Sequence, residues 1–137
     1  MNLTFRINTP IDTVFDYLTD MQKFVSVHPV IYKMDHLSPN HFKVYETLKL
    51  LSIPISFTYT ATLEHNSGDK TVVIRATVMK LTKIEMNYKL TSQGGSTTIE
   101  ENLIFKSPLP LRSTMESIFR SQHTLLFKNI EAVMKKD

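Results

Sequence analysis

Apolar and polar residues alternate along the chain from Val30 onward for about 75 residues, and this pattern constrains the fold most. Such alternation is typical of strands that bury one face and expose the other. The inward faces of four successive strands are read as Ile55, Phe57, Tyr59, Ala61 and Leu63; Val72, Ile74, Ala76 and Val78; Ile84, Met86, Tyr88 and Leu90; and Ile99, Leu103 and Phe105.

Turn-forming residues divide this stretch into six strands. Glycine and asparagine supply positive φ and proline fixes its own φ, so their clusters predict hairpins. The clusters are 38–40, 65–69 and 92–96, with an interruption at 50–54 and a weaker turn at 80–83. Successive strands joined by such short turns are antiparallel.

The N-terminal part predicts one more strand and two short helices. Leu3, Phe5 and Ile7 alternate with polar residues as in a half-buried strand. Thr9-Pro10-Ile11-Asp12 predicts a helix start with Thr9 as the capping residue, and Thr19-Asp20-Met21-Gln22 predicts a second start after a kink. His28-Pro29 ends the second helix, because the residue before proline avoids helical dihedral angles.

A long amphipathic helix from about Leu111 to Lys136 closes the chain, with a possible capping box at 113–116. Its apolar stripe is Met115, Phe119, Leu126, Ile130 and Val133. A helix of about 25 residues spans roughly 37 Å, so it must lie across a whole curved sheet. The space between the two predicts a ligand cavity.

Composition limits the other function classes. The 137 residues suit one domain, 1–137, with an ordinary apolar fraction of 42%. The lack of cysteine excludes thiol nucleophiles, disulfides and cysteine-ligated metals. The net charge of +3 comes from dispersed cations, which argues against nucleic-acid binding, and no apolar run is long enough for a membrane span. We therefore expect a cytoplasmic protein without integral membrane association, while the oligomeric state stays open.

The order of elements resembles the START-like or polyketide-cyclase-like superfamily, also called SRPBCC or helix-grip proteins. The resemblance is carried by the first-helix segment 11–20, by Phe24 and His28-Pro29, and by Gly95-Ser96-Thr97-Thr98 before a strand. It implies an α+β fold in which a seven-stranded antiparallel sheet grips a long C-terminal helix, with two short helices after the first strand. It also implies a cavity for lipids, sterols, quinones, polyketides or hormones, although some members are cyclases or hydrolases.

Three residues are candidates for acid–base chemistry. Glu46 and Glu101 each fall on the apolar face of a strand, where an unpaired carboxylate takes up a proton or finds a donor. His123 borders the apolar stripe of the closing helix and has a suitable unperturbed pKa. A strand bulge that turns Glu46 outward, solvated positions for both carboxylates, and a satisfied core histidine are the structural alternatives.

Three functions are compatible with these residues. The first is binding of a small hydrophobic or amphipathic molecule by Phe57, Tyr59, Ala61, Ile74, Met86, Tyr88, Leu103, Met115, Phe119, Gln122, His123 and Leu126. The second is a cyclase or hydrolase that uses the three candidates, and the third is a protein-interaction module, which requires an exposed apolar patch. No cofactor is implied, and the histidine spacing predicts no metal site.

Overall fold

A computed structural model describes residues 1–50 and 52–135 of the chain. It confirms one seven-stranded antiparallel sheet with the spatial order β1-β7-β6-β5-β4-β3-β2. The strands are β1 (Asn2–Ile7), β2 (Ile31–Ser38), β3 (His41–Leu50), β4 (Ile53–Asn66), β5 (Thr71–Val78), β6 (Thr82–Gln93) and β7 (Ser96–Lys106).

Three helices cover one face of this sheet. Helices α1 (Ile11–Thr19) and α2 (Met21–Val27) follow β1, and α3 (Arg112–Lys135) follows β7. Helix α1 packs against β6 and β7, α2 packs against β2 and α3, and α3 packs against β1. The predicted last helical residue, Lys136, lies outside the described residues. Within the part of the chain described, no helix combines the length and the apolarity needed to cross a membrane.

The core lies where the second half of α3 meets the sheet and α1. Leu126, Phe127 and Ile130 are almost completely buried, and the Phe127 ring lies 4.8 Å from that of Phe5 on β1. Asn129 Nδ2 donates a 2.8 Å hydrogen bond to the Val27 carbonyl at the end of α2. This half of α3 is therefore fixed to both β1 and α2.

The helix starts differ in part from those predicted. Asp20 caps α2 by accepting a 3.1 Å hydrogen bond from the Lys23 amide, as expected. Thr9 does not cap α1, because the N-cap is Pro10 and the Thr9 carbonyl instead accepts a 2.7 Å bond from the Thr97 hydroxyl. The capping box at 113–116 was also wrong, since α3 already begins at Arg112.

The hairpins close where the turn clusters predicted them. Positive φ values occur at Asn40, Ser52, Lys70 and Gly94, one in each of four turns, and glycine adopts such angles without strain. The remaining turn, between β5 and β6, has two consecutive residues with positive φ, Met79 and Lys80. The turn between β3 and β4 includes Leu51, which lies outside the described residues.

Candidate functional site

An apolar cavity of about 360 Å³ lies between α3 and the concave face of the sheet. Its walls come from β2 to β6, from α2, and from the first half of α3 as far as His123. Pockets that hold small organic ligands have volumes of roughly 300 to 1,000 Å³. The cavity is therefore large enough for a small ligand.

Most of the residues predicted to bind the ligand border this cavity, although their role in binding stays a prediction. Those that line it are Phe57, Tyr59, Ala61, Ile74, Met86, Tyr88, Met115, Phe119, Gln122 and His123. Leu103 and Leu126 do not line it. Leu103 packs with Leu3 and Ile84 in a separate apolar cluster, and Leu126 belongs to the main core.

The part of the cavity wall formed by α2 and β2 was not predicted from the sequence. Met21, Phe24 and His28 line the cavity from α2 and its C-cap, and Ile31 lines it from β2. The helical spacing of Met21, Phe24 and His28 placed them on one helix face. Whether this helix face packs on the core or lines the cavity depends on how α2 packs against the rest of the fold. The spacing of apolar residues along one helix does not determine this packing.

Glu101 and His123 form a buried pair that the sequence did not predict. His123 Nδ1 lies 2.8 Å from Glu101 Oε1 and 2.6 Å from Oε2. Both residues are 2% exposed. Glu101 itself does not line the cavity, so the His123 ring stands between the carboxylate and the cavity space. With the Nδ1 proton donated to Glu101, Nε2 is the nitrogen left for a ligand.

Tyr88 completes the surroundings of Glu101. It lies directly opposite Glu101 in the β6–β7 register, and it also lines the cavity. Burial, and then the nearby Glu101 charge, raises the pKa of Tyr88 well above its usual value. The Tyr88 hydroxyl is therefore protonated at neutral pH, and it donates a 3.7 Å hydrogen bond to Met86 Sδ.

His28 is held as a neutral hydrogen-bond donor. Its Nδ1 accepts bonds from the backbone amides of Val30 (3.2 Å) and Ile31 (3.0 Å), so the ring proton is on Nε2. Burial, and then the charge of His123, lowers the pKa of His28 to about 3. No residue in the described ranges 1–50 and 52–135 accepts a hydrogen bond from Nε2.

Glu46 and Tyr59 form a second hydrogen-bonded pair on the cavity wall. The Tyr59 hydroxyl donates a 2.9 Å bond to Glu46 Oε1. Glu46 faces inward and is 9% exposed, because the register shifts of the β2–β3 pair do not displace it from the alternation of β3. Burial raises the pKa of Glu46, against the opposing effects of Tyr59 and the His123 charge. Burial also raises the pKa of Tyr59, followed by the Glu46 charge.

Gln122 adds a donor that lacks a partner. Gln122 lines the cavity, and its Nε2 is buried and makes no hydrogen bond to any described residue. An unpaired buried donor costs about 1–3 kcal/mol. We call His28, Glu46, Tyr59, Gln122 and His123 the polar cluster. All five line the mostly apolar cavity, and the charge of His123 lowers the pKa values of His28 and Glu46.

This arrangement is suited to an organic ligand. Among the described residues, no group of three or more His, Asp or Glu side chains is placed to hold a metal ion. The cluster combines the donors of His28 and Gln122 with the carboxylate acceptor of Glu46. A molecule with a largely apolar body and one oxygen-bearing end would match both parts of the cavity.

Comparisons with known proteins identify the fold. No protein-family model and no curated protein sequence matches the chain. Solved structures do match over nearly the whole chain. Ara h 8.0201 is 16% identical with a TM-score of 0.76, covering 100% of this chain and 97% of its own.

Two bacterial structures match over a similar length. A START superfamily protein from Mycobacterium smegmatis is 13% identical with a TM-score of 0.80, covering 99% of this chain and 97% of its own. The Zhui aromatase/cyclase from a Streptomyces species is 10% identical with a TM-score of 0.73, covering 99% and 93%. At these identities the similarity identifies the fold alone, and the chain therefore has the helix-grip fold of the START-like, SRPBCC proteins.

Proposed function

We propose that this protein binds a small amphipathic molecule, such as a lipid, quinone or polyketide-like compound, in the cavity between the sheet and α3. The observation that carries the proposal is the apolar cavity whose lining residues include Gln122 and His28, each with a side-chain N–H that has no partner among the described residues. The apolar body of the ligand would contact Phe57, Met86 and Phe119, and an acceptor oxygen would meet the donors. The similar structures support this proposal because they include a START superfamily protein and an aromatase/cyclase.

The first test is native mass spectrometry of protein purified without detergent, followed by solvent extraction of any bound molecule. A bound molecule with an apolar body and an oxygen function is the expected result. If the protein is empty, it is offered a panel of fatty acids, quinones, sterols and polyketides. No uptake of any of these compounds would contradict the proposal.

Ala61 provides a matched test of the location. Its side chain lines the cavity and is 5% exposed, whereas Ala132 is exposed on α3. Ala61→Trp should fill the cavity and abolish ligand uptake, because the added indole occupies the space of the ligand. Ala132→Trp should bind as the wild type does. Uptake that persists in a folded Ala61→Trp protein would place the ligand elsewhere.

Gln122 provides a test of the polar end. Gln122→Met keeps the length of the side chain and removes the donor. Loss of one hydrogen bond of about 1 kcal/mol should weaken binding of an oxygen-bearing ligand roughly fivefold. Binding of a purely hydrocarbon dye should not weaken. Equal effects on both ligands would contradict the proposed contact.

A second candidate function, a cyclase or hydrolase acting on a carbonyl compound, rests on the Glu101–His123 pair. A carboxylate that fixes a histidine ring beside a cavity is an arrangement that supports general acid–base catalysis. Such an enzyme should turn over its substrate with a pH dependence that is lost in Glu101→Gln and in His123→Ala. Activity that persists in both variants would exclude these roles, and Glu46→Gln tests the remaining candidate in the same way.

A further inference from the structure

The cavity opens to solvent at one end of the sheet. The lining residues Ile55, Met79, Leu81, Leu109 and Leu111 are 37%, 67%, 54%, 48% and 41% exposed, while the lining residues of α2 and β2 are more buried. These five, with the adjacent Ile53 at 62%, come from the start of β4, the β5–β6 turn and the β7–α3 loop. We call these six side chains the apolar rim.

The β5–β6 turn presents its apolar residue at a conformational cost. Met79 and Lys80 have φ values of 55° and 62°, and the Leu81 amide donates a 3.2 Å bond to the Val78 carbonyl. Two consecutive positive φ values at the centre of a hairpin turn favour Asn-Gly, since side chains are strained there. Local stability therefore does not explain why an exposed methionine occupies this position.

Cations surround the apolar rim. The segments 47–57, 77–84 and 104–115 contain no Asp or Glu and carry Lys49, Lys80, Lys83, Lys106 and Arg112. These five residues are exposed. Arg112 Nε lies 3.9 Å from Glu116 Oε1, so its charge is partly balanced, and the four lysines carry most of the positive charge. Lys83 and Lys106 lie directly opposite each other in the β6–β7 register, and like charges in that position are destabilising. The net charge of the whole chain is only +3, so the rest of the chain is net negative.

We propose that the apolar rim and its five cations dock the mouth of the cavity onto an anionic lipid membrane. The charge complementarity selects an anionic partner, and exposed apolar side chains on three separate segments suit insertion into the interfacial layer of a bilayer. The cations are scattered over three segments of the chain, so only the fold brings them together. Docking in this orientation gives an apolar ligand a route to the cavity that avoids water.

The test is flotation of the purified protein with phosphatidylcholine vesicles and with vesicles that also contain phosphatidylglycerol. The protein should bind the vesicles that contain phosphatidylglycerol more tightly than those of phosphatidylcholine alone. This binding should weaken as the salt concentration rises, because salt screens the charges. Lys80→Glu should weaken binding at least about fivefold, from the contribution of one lysine near an anionic surface. Met79→Ser with Leu81→Ser should weaken it at least about tenfold, through lost apolar insertion.

Matched controls are available away from the mouth. Leu37 is 53% exposed near the β2–β3 turn, at the opposite end of the sheet, and Lys128 is exposed on α3. Leu37→Ser and Lys128→Glu should bind vesicles as the wild type does. Thermal unfolding verifies that each variant is folded.

Three outcomes would overturn the docking proposal. They are no binding to anionic vesicles at low salt, binding that the mouth variants leave unchanged, and binding that the control variants reduce equally. Self-association through the mouth, seen as a solution mass that falls in Met79→Ser with Leu81→Ser while vesicles are not bound, would also overturn it. Vesicle binding is measured without added ligand, so its failure is distinguishable from failure of the cavity to bind a ligand.

Discussion

The Glu101–His123 pair should make a large and non-additive contribution to stability. His123→Leu removes the partner of a carboxylate that is 2% exposed and whose Oε2 has no other hydrogen bond within the described residues. Removing one member of a buried ion pair costs about 3–5 kcal/mol, because the other charge stays buried without compensation. A domain of this size has a free energy of unfolding of about 5–15 kcal/mol, so the variant should lose a large part of it.

The double variant should recover most of this loss. Glu101→Leu with His123→Leu replaces the pair by two apolar side chains in a site already surrounded by Tyr88 and Phe119. Replacing both members of a buried ion pair with apolar residues is often neutral or stabilising. We expect the double variant to lie within about 2 kcal/mol of the wild type, well above the value expected if the single losses added.

The wild type, the two single variants Glu101→Leu and His123→Leu, and the double variant form a double-mutant cycle. Urea unfolding at neutral pH, followed by circular dichroism, measures the free energy of unfolding of each of the four proteins. The exposed neighbour on the same strand, Glu100, provides the control, and Glu100→Leu should change the free energy of unfolding by less than about 0.5 kcal/mol. Strict additivity of the two single losses would refute the reasoning. It would mean that the two side chains contribute independently despite the contact of 2.6 Å.

The other predictions concern the pH dependence of stability and the buried hydroxyls of Thr9 and Thr97. The pKa of His28 is about 3 in the folded protein and 6.5 for the ordinary side chain, so the unfolded chain binds more protons between these values. The contribution of His28 to stability is complete above pH 6.5 and falls as the pH drops toward 3. His28→Gln should therefore reduce the loss of unfolding free energy between pH 6.5 and 3, measured by urea titrations. An unchanged loss in this variant would contradict the lowered pKa of His28. Burial raises the pKa of Glu46, so its ionised form costs stability above the ordinary value of 4.5. Relative to the wild type, Glu46→Gln should therefore be more stable near pH 7 than near pH 4 in the same titrations, and the reverse order would exclude this cause. Thr97→Val should cost about 1–3 kcal/mol in thermal unfolding, because it removes the donor to the buried Thr9 carbonyl. Thr9→Val removes a hydroxyl that has no partner among the described residues and should cost less, so equal losses would contradict the hydrogen-bond assignment.

The local patterns of the sequence determined the elements and their faces. The period of two in the strands decided that Phe57, Tyr59 and Ala61 point to the same side of the sheet, since adjacent side chains of a strand point to opposite faces. The Asp20 cap could also be predicted from the sequence, because a capping hydrogen bond joins residues three positions apart. Thr9 shows the limit of such local reading. Its carbonyl is bound by Thr97, 88 positions away, and this contact belongs to the tertiary structure.

The sequence by itself therefore determined which residues face the interior, and the tertiary structure decided which of them meet a cavity. Ala61 and Leu126 both belong to apolar faces, but only Ala61 lines the cavity, because Leu126 lies in the second half of α3, which packs on β1 and α2. The same packing brings Glu101 to His123 and directs His28 toward the cavity. Periodicity reports the direction of each side chain relative to its own element, whereas the separation between elements depends on every contact that they make.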